Sequence, residues 1–263
     1  MKLPSHNKIW LLPILAVAAI SVLALRSHNL TAAPEPSPPI SSLPAVMLWA
    51  WERPEKLDFI DPQKVGVAFL AKSISLDGER VSSRRRLQPL DIPSGTKVVA
   101  VVRLESNRKV PPSLSTSQLT STSLEIIKVA DLPNLSAVQI DFDATLSERD
   151  FYRRLLTDVR KQLPTSISLS MTALASWCDG DYWLADLPVD EAVPMFFRMG
   201  VESKQFRNRL ESGGRFSREP CVNSAGVSTD EIIPPPRVER LYIFNPNPWT
   251  AASLSRALEN YKR

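Results

Sequence analysis

The chain has 263 residues and a formal net charge of +4, but three of its basic residues and none of its acidic residues precede residue 34. The other 29 basic and 28 acidic residues nearly cancel, which excludes the strongly basic surface of a nucleic-acid-binding protein. Both histidines, His6 and His28, also precede residue 34, so the remainder has no histidine catalyst and no histidine-ligated metal site. Because neither G-x-G-x-x-G nor Walker A motifs occur, we expect no nucleotide and no cofactor.

Residues 1–33 have the composition of a signal peptide or an N-terminal membrane anchor. Lys2 and Lys8 precede an uncharged, mostly apolar run over residues 9–25, and Arg26 follows it. This length is at the lower limit for a membrane span and slightly above the apolar core of most signal peptides. Small residues at 31–33 suit a signal peptidase, so cleavage and retention as an anchor both stay open. Either outcome predicts export, to the periplasm, the medium or the outer face of the inner membrane.

A proline- and serine-rich spacer, residues 34–44, follows and leads into one predicted domain over residues 45–263. Strand and helix patterns alternate along much of this domain, which implies parallel strands joined by right-handed crossovers. The predicted strands are the apolar runs 46–51, 65–71, 98–105, 137–144, 167–177, 192–199, 226–229 and 241–244. Eight strands predict an α/β fold, a (β/α)8 TIM-like barrel that is somewhat trimmed. An open, doubly wound sheet is the alternative.

Connections between the predicted strands differ along the chain. Residues 72–97 show no helical stripe but carry two Gly-containing turn signals, which predicts a β-hairpin excursion between strands 2 and 3. Ser147 is predicted to cap a helix that has one apolar stripe and stops before Pro164. Thr250 is predicted to cap the last helix.

Polar side chains alternate with apolar ones along strands that should be buried. The fourth strand has Val138 and Ile140 on one face and Gln139, Asp141 and Asp143 on the other. Buried parallel strands are usually apolar throughout, and an ionised group needs a partner or water. We therefore expect this polar face to point into the barrel, toward a wet opening. Because barrel enzymes place their chemistry at the C-terminal ends of strands, Asp141 and Asp143 are the candidate catalytic pair.

Other acids follow the ends of other predicted strands, and a ring of carboxylates around one opening suits glycoside hydrolysis. Glu231 is the candidate third catalytic residue, and arginines would balance the charge. The alternative is an internal salt-bridge network without catalytic function. No loop motif supports a hard metal ion such as Ca²⁺, so we assign no metal site. The charged or polar candidates for substrate binding are Glu52, Arg103, Glu105, Arg198, Asp230 and Asn245.

Aromatic residues and cysteines complete the candidates. Sugar rings stack on exposed aromatic faces, although a tryptophan in a strand more often fills the core. Cys178 and Cys221 are compatible with a disulfide in an oxidising compartment, or with two buried thiols. The candidate sugar-stacking tryptophans are Trp49, Trp51, Trp177 and Trp249.

Four segments resemble a family of exported bacterial proteins of unknown function: WAWERP at 49–54, QIDFDA at 139–144, TALASWC at 172–178 and STDE at 228–231. The resemblance covers most of residues 45–250. It implies a barrel related to glycoside hydrolases, and it brings no established activity with it.

A looser similarity is to the chitinase-like barrels, whose fourth strand ends in D-x-D-x-E. Asp141 and Asp143 match the two aspartates, but Thr145 stands where that family has its proton-donating glutamate. The resemblance then implies one of two outcomes. Either an acid from another strand donates the proton to a polysaccharide substrate, or the barrel binds a glycan or a protein partner without cleaving it. The acids considered for that role are Glu231, Glu105 and Glu52.

Overall fold

The computed structural model describes residues 40–214, 216, 219–234 and 237–261. The predicted signal or anchor segment, residues 1–33, lies outside these residues, as does most of the predicted spacer. Within the described ranges, no helix is both long enough and apolar enough to cross a membrane.

Eight parallel strands close into a barrel, as the sequence predicts. The barrel strands are β1, β3 and β6 to β11, and each pairs with the next along the chain, with β11 returning to β1. β7, the predicted fourth strand, therefore has β6 and β8 as its neighbours. The strands are β1 (Val46–Ala50), β2 (Glu55–Lys56), β3 (Val65–Asp77), β4 (Arg80–Arg85), β5 (Leu90–Asp91), β6 (Val98–Ser106), β7 (Leu135–Asp141), β8 (Ser168–Leu174), β9 (Glu191–Met195), β10 (Ser224–Ser228) and β11 (Arg240–Phe244).

The predicted hairpin excursion is present between barrel strands β3 and β6. The end of β3 pairs antiparallel with β4, from Lys72 opposite Arg85 to Asp77 opposite Arg80. Gly78 in the connecting turn has a φ of +54°, a conformation that glycine adopts without strain. β2 and β5 form a separate two-stranded parallel sheet. The hairpin therefore stands where a regular barrel would have a helix.

Helices follow several of the barrel strands. The described α-helices are α1 (Thr116–Ile127), α2 (Arg149–Gln162), α3 (Ala175–Asp179), α4 (Ser203–Glu211) and α5 (Ala251–Asn260). Thr250 caps α5 as predicted, because its side chain accepts a hydrogen bond from the backbone N–H of Ser253 at 3.1 Å. The predicted cap of α2, Ser147, is wrong. A 3₁₀ turn precedes α2, and Thr145 caps that turn in a capping box with Glu148.

β7 stops at Asp141, three residues before the end of the predicted strand, so Asp143 follows the strand rather than lying in it. Two further predicted strands also end three or four residues early. β8 stops at Leu174 and α3 begins at Ala175, although the apolar run continues to Trp177. β9 stops at Met195, and Arg198 lies in the following loop with a φ of +57°. At the ends of β8 and β9, the apolar run continues from the strand into the segment that follows. Apolar composition alone therefore does not show where the strand ends.

The alternation along β7 divides the inside of the barrel from the outside. Val138 and Ile140 belong to the large apolar cluster that includes helix residues. Gln139 points inward, where it accepts a hydrogen bond from Trp49 Nε1 at 3.0 Å and donates to Ser170 Oγ at 3.1 Å. Gly226 makes room for this packing, since a Cβ there would lie 2.7 Å from the Trp49 ring. The predicted orientation of the polar face is therefore confirmed at Gln139.

A buried ion pair closes the opposite, N-terminal end of the barrel. Glu191 and Arg240 are the first residues of β9 and β11, and their side chains pair while almost fully buried. We call them the basal ion pair. Tyr242 donates to Glu191 Oε2 at 2.8 Å. Arg240 also donates to the carbonyl oxygens of Ile40 at 2.8 Å and Pro44 at 3.2 Å, so the end of the predicted spacer packs beneath the barrel.

A disulfide joins Cys178 to Cys221, with a Cα–Cα distance of 6.0 Å. It connects α3 to the segment before β10 across a sequence separation of 43 residues. Of the two arrangements that the sequence left open, the bridge is the one that forms.

Candidate functional site

A cavity of about 530 Å³ opens at the C-terminal ends of the barrel strands. Its lining comes from β1, β6, β7, β8, β9 and β11 and from the residues that follow them. This is the end at which barrel enzymes place their chemistry. The volume lies within the range of small-molecule sites, roughly 300–1,000 Å³. We call it the mouth cavity.

Asp141 and Asp143 both line the mouth cavity, but their surroundings differ. Asp141 is only 5% exposed and accepts hydrogen bonds from Thr172 Oγ1 at 2.7 Å and from Arg103 Nη1 at 3.1 Å. Arg103 also pairs with Glu105 through its Nε at 2.8 Å. Asp143 is exposed, and its carboxylate has no hydrogen-bond or ion-pair partner among the described residues. One aspartate is therefore fixed by the protein, and the other is free to meet a ligand.

Burial raises the pKa of the Asp141 carboxyl above its ordinary value, and the negative charge of Asp143 raises it further. Arg103 and Thr172 act in the opposite direction because they stabilise the ionised form, but they do not outweigh burial. Keeping the buried Asp141 carboxylate ionised at neutral pH therefore lowers the stability of the folded protein. A cost of this kind is typical of functional sites.

Replacing Asp141 with asparagine is expected to stabilise the fold increasingly as the pH rises. Because the pKa of Asp141 is raised in the folded state from 3.8, the contribution of this one residue to stability is fully present at low pH and is lost as the pH rises through the raised pKa. Asparagine can still accept from Arg103 and donate to Thr172. Urea unfolding from about pH 3 to about pH 7 should show a growing advantage for the variant, about 1.4 kcal/mol per unit of pKa shift. An advantage that shrinks with rising pH would contradict this assignment.

An aromatic wall borders the two aspartates. It consists of Trp51, Phe197 and Phe244, which all line the mouth cavity. The rings of Phe197 and Phe244 stack with centroids 5.7 Å apart, and Trp51 meets Phe244 edge-on at 6.4 Å. Trp49 lies deeper, only 3% exposed, with its ring nitrogen bonded to Gln139. Trp51 is thus the predicted tryptophan with an accessible ring, and Trp49 forms part of the floor.

The sequence predicts four other acids around the opening, and none of them is among the residues that line the mouth cavity. Each of the four is paired with an arginine. Arg198, a lining residue, pairs with Asp230 at 2.7 Å and also with Glu231. Hydrogen bonds from Ser228 and then from Arg198 lower the pKa of Asp230. In the same way Glu105 pairs with Arg103, and Glu52 pairs with Arg84 on the hairpin. Among the described residues, the carboxylates that line the mouth cavity are those of Asp141 and Asp143, and arginines neutralise the four other predicted acids.

Three further predicted binding residues, besides these four acids, also do not line the mouth cavity. Trp177 lies on α3 rather than at a strand end, 3% exposed, with its ring edge-on to Trp183 at 4.8 Å. Trp249 is equally buried and donates through its ring nitrogen to the carbonyl oxygen of Trp49 at 3.1 Å. Asn245 is 4% exposed and accepts from Thr229 Oγ1 at 2.6 Å. Each of the three side chains packs within the protein.

Sequence reasoning missed two members of the aromatic wall. Phe197 continues the inward series of Glu191, Val193 and Met195, and Phe244 continues that of Arg240 and Tyr242. The period-two alternation that identified Asp141 and Asp143 would also have identified these phenylalanines, if the strand boundaries had been known.

In the described part of the chain, no cluster of three or more histidine, cysteine, aspartate or glutamate residues is arranged to hold a metal ion. The oxygen ligands that the mouth cavity offers come chiefly from Asp141 and Asp143, and Asp141 is already bonded to two protein donors.

Comparison with curated proteins and with solved structures gives no match. Comparison with protein-family models gives one match, and the matched region contains Arg103, Asp141, Asp143 and Thr172. At the level of an uncharacterised family, it agrees with the resemblance seen in the sequence. Residues 94–193 match the family model of a domain of unknown function, DUF3142.

Proposed function

We propose that this chain is an exported, carbohydrate-active barrel protein that binds a glycan in its mouth cavity. The observation that carries the proposal is the exposed Asp143 carboxylate, which has no partner among the described residues and faces the same cavity as the aromatic wall. Amphipathic sugar rings stack on aromatic faces, and carboxylates accept hydrogen bonds from hydroxyl groups. A cavity of about 530 Å³ can hold such a ligand in part or whole.

Each lining residue has a distinct role in this proposal. Trp51 provides a ring face for stacking, and Asp143 accepts hydrogen bonds from the sugar. Asp141 is a positioning residue, because Thr172 and Arg103 hold it in place and its charge acts on its neighbours. Arg103 lies 5.8 Å over the Trp51 ring, so the same guanidinium orders the acids and one edge of the aromatic wall.

Glycoside hydrolysis is the second candidate function. The observation in its favour is that two neighbouring aspartates lie in unlike environments, one buried with a raised pKa and one exposed. Hydrolysis also needs a proton donor on the other side of the scissile bond. Thr145 occupies the position of the donor in the chitinase-like pattern, and its side chain is engaged with Glu148. The three other acids considered, Glu52, Glu105 and Glu231, each bond to an arginine, which favours binding over cleavage.

Export is the compartmental part of the proposal. The apolar N-terminal run supports it, and so does the disulfide, because disulfides persist in oxidising compartments and are rare in the cytosol. Envelope and extracellular polysaccharides are the glycans that an exported protein meets.

Asparagine at position 143 is expected to weaken glycan binding about 10- to 100-fold, since a hydrogen bond to a charged group contributes about 1.5–3 kcal/mol. Alanine at position 51 should weaken it as well, by removing the stacking face. The measurement is calorimetric binding of the purified full chain to a panel of envelope polysaccharides and their oligomers, with release of reducing sugars followed in parallel. The matched control is Asp131→Asn, an exposed aspartate that precedes β7 at the opposite end of the barrel.

The outcomes separate the two candidates. Binding without release of sugars, lost in Asp143→Asn and kept in Asp131→Asn, supports a binding protein. Release of sugars that disappears in Asp143→Asn supports the hydrolase. If the wild-type chain binds no member of the panel, or if Asp143→Asn binds as well as wild type, the proposed function is wrong.

A further inference from the structure

Negative charges outnumber positive ones when the side chains beside the mouth cavity are counted with its lining. The charged lining residues are Arg103, Asp141, Asp143 and Arg198. Their ion-pair partners outside the lining are all carboxylates, from Glu105, Asp230 and Glu231. Within the lining two guanidinium groups face two carboxylates, and the three carboxylates beside the lining bring this group of side chains to a net charge of −3 when all are ionised. A cavity with this balance attracts a cationic ligand and repels an anionic one.

Both arginines of the cavity are already occupied. Arg103 bonds to Asp141 at 3.1 Å and to Glu105 at 2.8 Å. Arg198 bonds to Asp230 at 2.7 Å and also to Glu231. Recognition of a uronate, sulfate or phosphate needs a guanidinium that can present its fork to the ligand. Neither arginine can do so without giving up a carboxylate of the protein, so the mouth cavity is unsuited to an acidic glycan.

Asp143 and the aromatic wall together match a positive charge. The π-faces of Trp51, Phe197 and Phe244 carry the negative part of the ring quadrupole, which attracts cations. The guanidinium of Arg103 already occupies such a position over Trp51. An ammonium group would donate a charge-assisted hydrogen bond to Asp143 and would also gain the cation–π attraction of the wall. A metal ion fits less well, because the described residues offer no third acidic, histidine or cysteine ligand.

We infer that the glycan held in the mouth cavity carries a free amino group, whose ammonium ion lies between Asp143 and the aromatic wall. The inference rests on the proposed glycan-binding function and narrows it to amino sugars that are not N-acetylated. Acetylation converts the ammonium group to a neutral amide, which removes the charge that Asp143 pairs with. The site thus discriminates by charge between two forms of the same sugar.

The test is calorimetric binding of the purified full chain to three tetrasaccharides at about pH 6: glucosamine, N-acetylglucosamine and galacturonic acid. The glucosamine tetramer is expected to bind at least about tenfold more tightly than its N-acetylated form, and the galacturonate tetramer most weakly. Asp143→Asn should reduce the ratio between the first two affinities to near one. The control Asp131→Asn should leave that ratio unchanged. Added salt should lower the ratio in the wild-type chain, because it screens charge.

The ratio of affinities is a readout that a loss of folding does not mimic. If the N-acetylated or the galacturonate tetramer binds as tightly as the glucosamine tetramer, the inference is overturned while glycan binding stands. If the ratio survives in Asp143→Asn, Asp143 does not recognise the amine and the inference is likewise overturned. If none of the three binds, glycan binding itself fails for these sugars, and the inference fails with it.

Discussion

Methionine in place of Arg240 is expected to lower the free energy of unfolding by about 3–5 kcal/mol, because it leaves the Glu191 carboxylate buried without its cation. The same change removes the donors that hold the carbonyl oxygens of Ile40 and Pro44, so the chain entering β1 is held less firmly beneath the barrel. Urea unfolding at neutral pH, followed by tryptophan fluorescence, measures the loss. Methionine approximates the length of the arginine stem, so the change in packing is small.

Two further variants separate the buried charge from simple loss of contacts. Adding Glu191→Gln to Arg240→Met removes the unpaired charge and keeps hydrogen bonds to Tyr242 and Ser170 available. The double variant should therefore recover part of the stability. The matched control is Arg80→Met, whose side chain is 72% exposed and paired with Asp77, with an expected loss of about 1 kcal/mol or less. Equal losses for Arg240→Met and Arg80→Met would show that the basal ion pair does not stabilise the fold.

The second large effect is expected from the disulfide. Serine at both Cys178 and Cys221 should lower the free energy of unfolding by up to about 4 kcal/mol, since the bridge closes a loop with a separation of 43 residues and restricts the unfolded chain. The measurement is the unfolding midpoint of the wild-type and serine variants, with and without a thiol reductant. The reductant should lower the midpoint of the wild-type chain only.

The same bridge also tests export. Thiols trapped by alkylation during lysis should be absent from Cys178 and Cys221 if the protein resides in an oxidising compartment. Free thiols at both positions in protein taken directly from cells would argue against export. An unfolding midpoint that does not respond to the reductant would show that the bridge adds no stability.

The barrel could be predicted from the sequence because its signals are local. Each signal is visible within a short stretch of sequence: the apolar runs, the polar alternation along β7 and the glycine turns in residues 72–97. The basal ion pair could not be predicted, since Glu191 and Arg240 are 49 residues apart and meet only when β9 and β11 take their places in the sheet. A single charged residue at the start of a strand does not indicate its partner.

The site was predictable to the extent that it follows strand parity. Asp141 and Asp143 share one face of β7 and its extension, so their meeting at the mouth cavity follows from the period of two. The error at Trp177 has a different cause. The apolar run of β8 continues into α3, and the change from strand to helix rotates later side chains away from the opening. The pairing of Asp230 and Glu231 with Arg198 depends on a loop conformation that the sequence does not display.

The filled interior of the barrel determines how a ligand can approach. Trp49, Gln139 and Tyr242 occupy the axis below the mouth cavity, and the basal ion pair lies at the far end. As far as the described residues show, a ligand consequently enters and leaves the mouth cavity through the same opening. A polysaccharide would therefore not thread the barrel, and it would contact the site from the open end, either by lying across that end or by inserting a terminus or a side branch. Whatever occupies the site must leave before the next ligand arrives, which would make occupancy sensitive to crowding at the aperture.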